Sequence, residues 1–378
     1  MPRVQVHDNP AATSLTLYAP ELEVSNWRHR ITATIGFDTA SFTVQDSKYI
    51  LEDIWANALG RRICRYTPDG NFLIWEGYIN EMTLTEPGIQ KTISLRDLYN
   101  RVGVRYIPID TAANPPTESA ETVTAAVDNT ASQALFGIKE IVFRPPKINR
   151  LITAEAEQQA NTILLQYRMP RRSDDIRTGG EPGLSVSCEG YMHTLKWRKY
   201  NQTATSGNQD ADLEIADIIT SVGQFIASTA LTSNGATQIQ EYFNRDDTAF
   251  DIIQQIAAMG GSDYARWVAY VMEGRKLYYE AASTSIAYYR RVADGRQEFF
   301  DLQYRAVPYW EVRPNKWVRT TDIFPHQLTP ASLQDDKQAT YIESVEWTEP
   351  DSISITGSPG DAVQVMVARL ANRGDVLL

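Results

Sequence analysis

The feature that most constrains this fold is a two-residue hydrophobic alternation that changes phase at a glycine. Ile31, Ala33, Ile35 and Phe37 alternate with polar residues, and Ala40, Phe42 and Val44 resume the pattern in the other phase beyond Gly36 and Asp38. A period of two sets one face of a strand against a core and the other in water. A change of phase without loss of alternation suits a bulge or sharp bend, the device that turns a strand at a barrel corner. A curved β-sheet is therefore expected near the N-terminus.

The following segments extend it. Tyr49, Ile50, Ile54, Ala58 and Leu59 recur at helical spacing, and Gly60 ends the run as a C-cap. Ile63 to Tyr66 enters the turn Thr67-Pro68-Asp69-Gly70, and the return strand, Phe72 to Leu84, contains Trp75-Glu76-Gly77-Tyr78-Ile79. Ile89, Ile93 and Leu95 mark another strand, and Leu98, Tyr99 and Val102 a short helix. Val104 to Ile109 reads as a strand, Thr111 to Ala126 as a linker, Thr153 to Arg168 as a helix and Ser173 to Gly183 as a loop. Alternation returns at Leu184, Val186, Cys188, Gly190 and Met192, with Leu195-Lys196-Trp197 extending the β-region. Leu213 to Ile226 is an amphipathic helix. A second helix, N-capped by Asp247, runs through Phe250, Ile253 and Ile256 to Gly260-Gly261. Trp267 to Met272, the turn Glu273-Gly274-Arg275 and Leu277 to Ala281 form a hairpin. Phe299 to Tyr304, Tyr309 to Val318, Tyr341 to Trp347 and Ile353 to Thr356 read as strands, with a break at Pro325 to Pro330. Ser358-Pro359 opens a closing helix carrying Val363, Met366 and Leu370.

A chain of 378 residues accommodates about two to four domains. Its net charge of -11 argues against general nucleic-acid binding, which needs a basic footprint. Two cysteines, Cys64 and Cys188, make neither a disulfide framework nor a metal set, and are expected as buried thiols. Residues 1–9 lack the apolar core of a signal peptide, and no window approaches the ~20 apolar residues of a membrane span.

Catalytic patterns are weak. His7, His29, His193 and His326 lie outside metal spacing of one another, and no G-x-S-x-G elbow, dinucleotide fingerprint or phosphate loop occurs. Acidic pairs such as Asp174-Asp175 and Asp246-Asp247 suit solvated loops and caps better than a glycosidase pair. No catalytic, cofactor or metal residues are assigned. Trp310 and Trp317 flank Arg313-Pro314-Asn315-Lys316, so Trp310, Arg313 and Trp317 are candidate interface anchors. The same rings could stack on sugars, or could form cross-strand pairs around a turn.

Three collinear segments resemble the tail hub (baseplate hub) proteins of tailed phages and related contractile injection machines. Trp27 to Val102, with its strand pair bent at Gly36, a helix, and the hairpin bearing Trp75 and Gly77, is similar to the opening hub barrel. Leu184 to Lys196, with Cys188-Glu189-Gly190-Tyr191, is similar to the hub strand that returns to close that barrel. Phe250 to Glu280, with Trp267 and Gly274, resembles the small α/β hub domain.

The resemblance implies an α+β, mainly β fold: two tail-tube-like β-barrel domains plus a small α/β domain, discontinuous in sequence. The expected limits are 1–105 with 183–204 for the first barrel and 106–182 with 286–357 for the second. Residues 205–285 would be the α/β unit, and 358–378 a C-terminal helix and tail. It implies a homotrimeric ring at the virion tail tip, assembled in the host cytoplasm. Three chains would present six barrels and so match a sixfold tube to a threefold tip. Implied partners are the tail tube or distal tail protein, the tape-measure protein and fibre or spike proteins. DNA would pass through without stable binding, repelled by an acidic lumen. The competing expectation is a carbohydrate-binding, tail-associated adhesion protein.

Overall fold

The computed structural model describes residues 3–7, 22–67, 69–145, 150–176, 182–201, 209–234, 238–239, 247–260, 266–293, 296–321, 339–349 and 352–359. The first strands are β1 (Arg3–His7), β2 (Val24–Thr32) and β3 (Gly36–Val44), followed by α1 (Lys48–Asn57), β4 (Arg62–Tyr66), β5 (Leu73–Glu86) and β6 (Ile89–Ser94). The phase change at Gly36 is a chain reversal rather than a bulge within one strand. β2 and β3 pair antiparallel across residues 33–35, and Thr32 Oγ1 accepts the Ile35 N–H at 3.1 Å. Bulges do interrupt the β2–β3 ladder, between Ser25 and Arg28 and between Arg30 and Ile31.

Next come β7 (Arg101–Asp110), the two-residue strands β8 (Thr117–Glu118), β9 (Thr122–Val123) and β10 (Val127–Asp128), then α2 (Thr130–Phe136), β11 (Glu140–Phe143), β12 (Arg150–Leu151) and α3 (Thr153–Tyr167). β7 is the centre of this group. β8, β9 and β10 pair with it antiparallel, and β11 and β12 pair with it parallel. Val102, Val104, Tyr106, Leu151, Ala156, Ala160 and Leu164 form a core separate from the main one. Among the described residues no strand of 106–182 pairs with a strand of 286–357, although the sequence reading expected the two ranges to share a second barrel. Both edges of β7 are already taken by its own neighbours in the chain. The short helix expected at Leu98 to Val102 is a turn leading into β7.

β13 (Arg171–Ile176) stands where a loop was expected, and pairs antiparallel with β6. β14 (Gly183–Glu189) follows. Leu195-Lys196-Trp197 does not prolong β14, because Tyr191–Trp197 is a 3-10 helix that buries Tyr191, Met192, Leu195 and Trp197. β14 inserts between β3 and β5, antiparallel to both, with Leu184 to Glu189 facing Val44 to Thr39 on one side and Leu84 to Tyr78 on the other. The strand order β1–β4–β5–β14–β3–β2 curls on itself, and Leu22, just before β2, returns to bridge Val4 in β1. Trp27, Phe37, Phe42 and Trp75 fill the barrel. Trp27 stacks on Phe42 at 5.3 Å and meets Trp75 edge-on at 6.2 Å.

The third group contains β15 (Gln209–Asp210), which pairs with β17 (Gln238–Ile239), and α4 (Ala211–Val222), β16 (Ser228–Leu231), α5 (Ala249–Met259), β18 (Trp267–Met272) and β19 (Lys276–Ala281). α5 is capped by Thr248, whose Oγ1 accepts the Asp251 N–H at 3.1 Å, rather than by Asp247. β19 pairs parallel with β16 and antiparallel with β18.

The last strands are β20 (Ile286–Ala293), β21 (Arg296–Phe300), β22 (Ala306–Val307), β23 (Trp317–Thr321), β24 (Ala339–Thr348) and β25 (Ser352–Pro359). They pair in the order β22–β21–β20–β23–β24–β25, and β24 also pairs with β2. The expected strand over Tyr309 to Val318 is a 3-10 turn at Tyr309–Glu311 followed by a second turn before β23. Ser358 and Pro359 end β25 instead of starting a helix. The remainder of that expected helix, and the Pro325–Pro330 break, lie outside the described residues. The fold is α+β and mainly β, discontinuous in sequence. One continuous hydrophobic core runs through the barrel, the α/β group and the last sheet.

Backbones cross closely where β14 closes the barrel. A Cβ on Gly77 would lie 2.3 Å from both the Glu189 carbonyl oxygen and the Trp75 ring. Replacing Gly77 with Val is expected to destabilise the chain by about 3 kcal/mol or more, or to prevent soluble folding. Denaturant unfolding against the parent checks this, and an unchanged midpoint contradicts the placement.

Candidate functional site

The chemistry-bearing residues converge where the barrel meets the α/β group and the last sheet. Gly36 begins β3 with φ +79°, and a Cβ there would sit 2.0 Å from the Val271 carbonyl oxygen in β18. Gly190 lets the chain pass over β3, where a Cβ would fall 1.6 Å from the Phe37 carbonyl oxygen. Its N–H donates to the Asp38 carbonyl at 2.7 Å. Gly274 turns the β18–β19 hairpin, and its N–H donates to Glu76 Oε2 at 2.8 Å. Trp267 packs its ring 4.8 Å from Tyr279 in that hairpin. Thus Gly36, Trp75, Gly77, Gly190 and Gly274 come from four distant segments and meet around one junction, while Trp267 lies at the other end of the β18–β19 hairpin, opposite Ala281.

Glu76 is the polar centre of the junction. It is buried, and its Oε1 pairs with Arg62 at 2.5 Å. Burial pushes its carboxyl pKa up, opposed by Arg62 and by the Gly274 N–H. A buried pair gains little over apolar packing, but removing one partner strands the other charge. Glu76→Leu is expected to cost about 3–5 kcal/mol in denaturant unfolding.

A second buried cation ties the barrel to the last sheet. Arg65 in β4 is fully buried between two rings, 4.6 Å from Trp27 in β2 and 4.5 Å from Trp347 in β24, with Glu349 at 3.5 Å. Burial pushes its pKa down to about 10, so it stays charged at neutral pH. A planar guanidinium can lie against two ring faces, which an ammonium cannot match. Beside it, buried His29 accepts the Trp27 indole N–H on Nδ1 at 2.9 Å, and its ring lies 5.4 Å from Trp347. Burial, then the charges of Arg65 and Arg313, hold the His29 pKa well below the usual imidazole value. The folded chain keeps His29 neutral while the unfolded chain protonates it below pH ~6.5. Stability from this site is therefore present above pH ~6.5 and declines as pH falls below it, by up to ~1.4 kcal/mol per pH unit. His29→Gln, which retains an acceptor, is expected to flatten that slope in unfolding measured from pH 7 to 5.

The three candidate interface residues are largely committed within the chain. Trp310 packs against the main core. Arg313 Nη1 donates to the Trp310 carbonyl at 2.5 Å, its Nη2 lies 3.4 Å from Glu273, and the guanidinium covers Phe72 at 5.2 Å. Trp317 donates its indole N–H to the Ser283 carbonyl at 2.7 Å and meets Tyr341 edge-on at 5.7 Å. Trp310 and Trp317 are each half-buried.

Two features of the junction were missed by sequence reasoning. Arg65 shares the barrel-facing side of its strand pair with Trp75, whereas Glu76, opposite Cys64, lies buried on the other face; a charged residue within an otherwise apolar stretch was the only available signal. His193 Nε2 lies 2.7 Å from Asp38, and its Nδ1 faces the Lys196 ammonium at 3.2 Å. Among the described residues no hydroxyl or thiol contacts the imidazole in the way a nucleophile would. Cys64 and Cys188 are buried, with burial raising both thiol pKa values, that of Cys64 to about 12. Among the described residues no group of three or more His, Cys, Asp or Glu side chains could hold a metal. His326 lies outside the described residues. No described helix is long and apolar enough to cross a membrane.

No family profile and no curated protein matches the chain. Among solved structures it is similar to a tail protein from Neisseria meningitidis, at 8% identity over 95% of this chain and 96% of that one, with a TM-score of 0.45. A prophage tail protein of 43 kDa from Shewanella oneidensis matches at 10% identity over 96% and 97%, also with a TM-score of 0.45. A component of the type VI secretion system from E. coli matches at 8% identity over 95% and 77%, with a TM-score of 0.43.

Proposed function

We propose that the chain is a structural subunit of a phage-type tail, a hub protomer at the tail tip that acts by assembling rather than by catalysis. The observation that carries this reading is the return of β14 to fill the gap between β3 and β5. A segment about a hundred residues downstream completes the first barrel, the arrangement implied by the hub resemblance of Leu184 to Lys196. The ring would be a homotrimer, joining the tail tube or distal tail protein and the tape-measure protein to fibre or spike proteins, and located at the virion tail tip.

The barrel also offers a wall suited to a passage. The outer face of β3, β14, β5 and β6 carries Ser41, Thr43, Ser185, Ser187, Thr83 and Thr92, with Glu81 among them. Thr83 and Thr92 hydroxyls meet at 3.1 Å across the ladder. On these four strands the face carries neither an apolar surface that would retain a protein nor cations that would hold DNA phosphates, and the exposed arginines beside it, Arg28 and Arg30 of β2, are paired with Glu346 and Asp38. Facing a lumen, it would let DNA pass without binding.

Electron-microscopic class averages of the purified protein test the reading. Threefold rings around an open centre are expected. Monomers at every concentration, or closed particles without an opening, contradict it.

A further inference from the structure

β13 is an exposed edge with an unusual charge order. All six of its residues, Arg171-Arg172-Ser173-Asp174-Asp175-Ile176, are exposed. Among the described residues it pairs only with β6, along one side. Edge strands are normally protected by charge, but a protecting edge needs only one sign. Here two cations precede and two anions follow a central Ser173. Read against itself in the antiparallel sense, the strand is complementary at its four charged positions, two on each side of Ser173.

A second observation lies beside it. An apolar groove of about 550 Å³ opens at the start of β13, lined by Ile93, Leu135, Phe136, Met169, Pro170 and Arg172. Leu135 is 57% exposed and Met169 52%. At the other end of β13, Ile176 is 91% exposed, a costly place for a large apolar side chain. Arg172 marks the face that turns toward this groove, with its guanidinium 5.1 Å from the Trp55 ring. Ile176, four residues on, shares that face by the two-residue period.

We propose that β13 is a docking edge for a second copy of this chain, paired antiparallel about a two-fold axis through Ser173. In that register Arg171 faces the partner's Asp175 and Arg172 faces the partner's Asp174. Each Ile176 then falls opposite the partner's Pro170, at the mouth of the apolar groove. One register thus accounts for the charge order, the exposed isoleucine and the open groove. The contact is isologous, since each chain gives and receives the same residues. Strand addition supplies backbone hydrogen bonds, and the charges fix the register. A six-residue strand makes a small interface, so association is weak and falls with salt. The contact is independent of the hub reading: it joins two chains, or two rings face to face, and leaves ring closure to other surfaces.

Sedimentation velocity over a concentration series at low salt tests it, with circular dichroism to verify folding. The parent is expected to form a reversible species of twice the chain mass. Arg172→Asp opposes two carboxylates twice per dimer, and Asp174→Arg opposes two cations twice. Each is expected to weaken self-association about tenfold or more, since attractive cross-strand pairs become repulsive. The two single variants mixed together should associate, because each then meets its opposite. The double variant Arg172→Asp/Asp174→Arg should recover self-association. Hydrogen exchange should show protection of the Arg171–Ile176 amides with rising concentration. A parent without a dimer, a dimer indifferent to either single variant, or a mixture and double variant that both fail to recover would overturn the proposal. A species of three chain masses that persists in all variants bears on the hub ring alone.

Discussion

Everything in this fold hangs on two strand edges that cannot be left open. β3 and β5 each carry a row of backbone N–H and C=O groups, and β14 is the segment that satisfies both rows at once. Because β14 belongs to a distant part of the chain, closing the barrel also fixes what precedes and follows it. The segment from Val102 to Leu164 becomes an excursion with its own core, and the 3-10 helix after Gly190 is brought down onto β3. The α/β group and last sheet then share a single core with the barrel. Such closure costs loop entropy, since ordering a long excursion comes before its reward.

Close crossing leaves no room for ordinary side chains, which explains the glycines, and it forces polar groups into the junction. Glu76 reaches from the barrel to the β18–β19 turn, and Arg65 reaches from β4 to rings on β2 and β24. Arg266 adds a bidentate link from the residue just before β18 to Glu343 in β24. These contacts tie parts of the fold that the chain connects only through long detours. Their value lies less in net stability than in allowing one arrangement of the three parts, because any other leaves a buried charge without its counter-group.

The local pattern of the first hundred residues was legible in the sequence. Alternation placed β3 and β14, helical spacing placed α1, and the Thr67 to Gly70 turn placed the β4–β5 hairpin, whereas the run from Ile31 to Phe37 that reads as one bent strand is the end of β2, a turn and the start of β3. Gly77 was readable as a close approach only because a family resemblance supplied the returning strand. Elsewhere, periodicity misled where context decided. Leu195-Lys196-Trp197 has strand-like residues, but Gly190 redirects the chain and all but the lysine are buried as a 3-10 turn. β13 was invisible because an edge strand of charged residues has no apolar face to alternate. The candidate anchors Trp310, Arg313 and Trp317 were picked for residue type, and type alone does not reveal that their hydrogen bonds and ring contacts lie within the chain. The Arg65 site depended on β24 arriving beside β2, a pairing over three hundred residues apart that no local pattern reports.

The central claim is that β14 is an integral stave of the barrel. Native-state hydrogen exchange resolved to single amides tests it most directly. The account predicts that amides of Leu184, Val186 and Cys188 open together with those of β3 and β5, at the free energy of global unfolding. If β14 instead exchanges in an earlier, separate step while β3 and β5 stay protected, the barrel does not depend on it and the account fails.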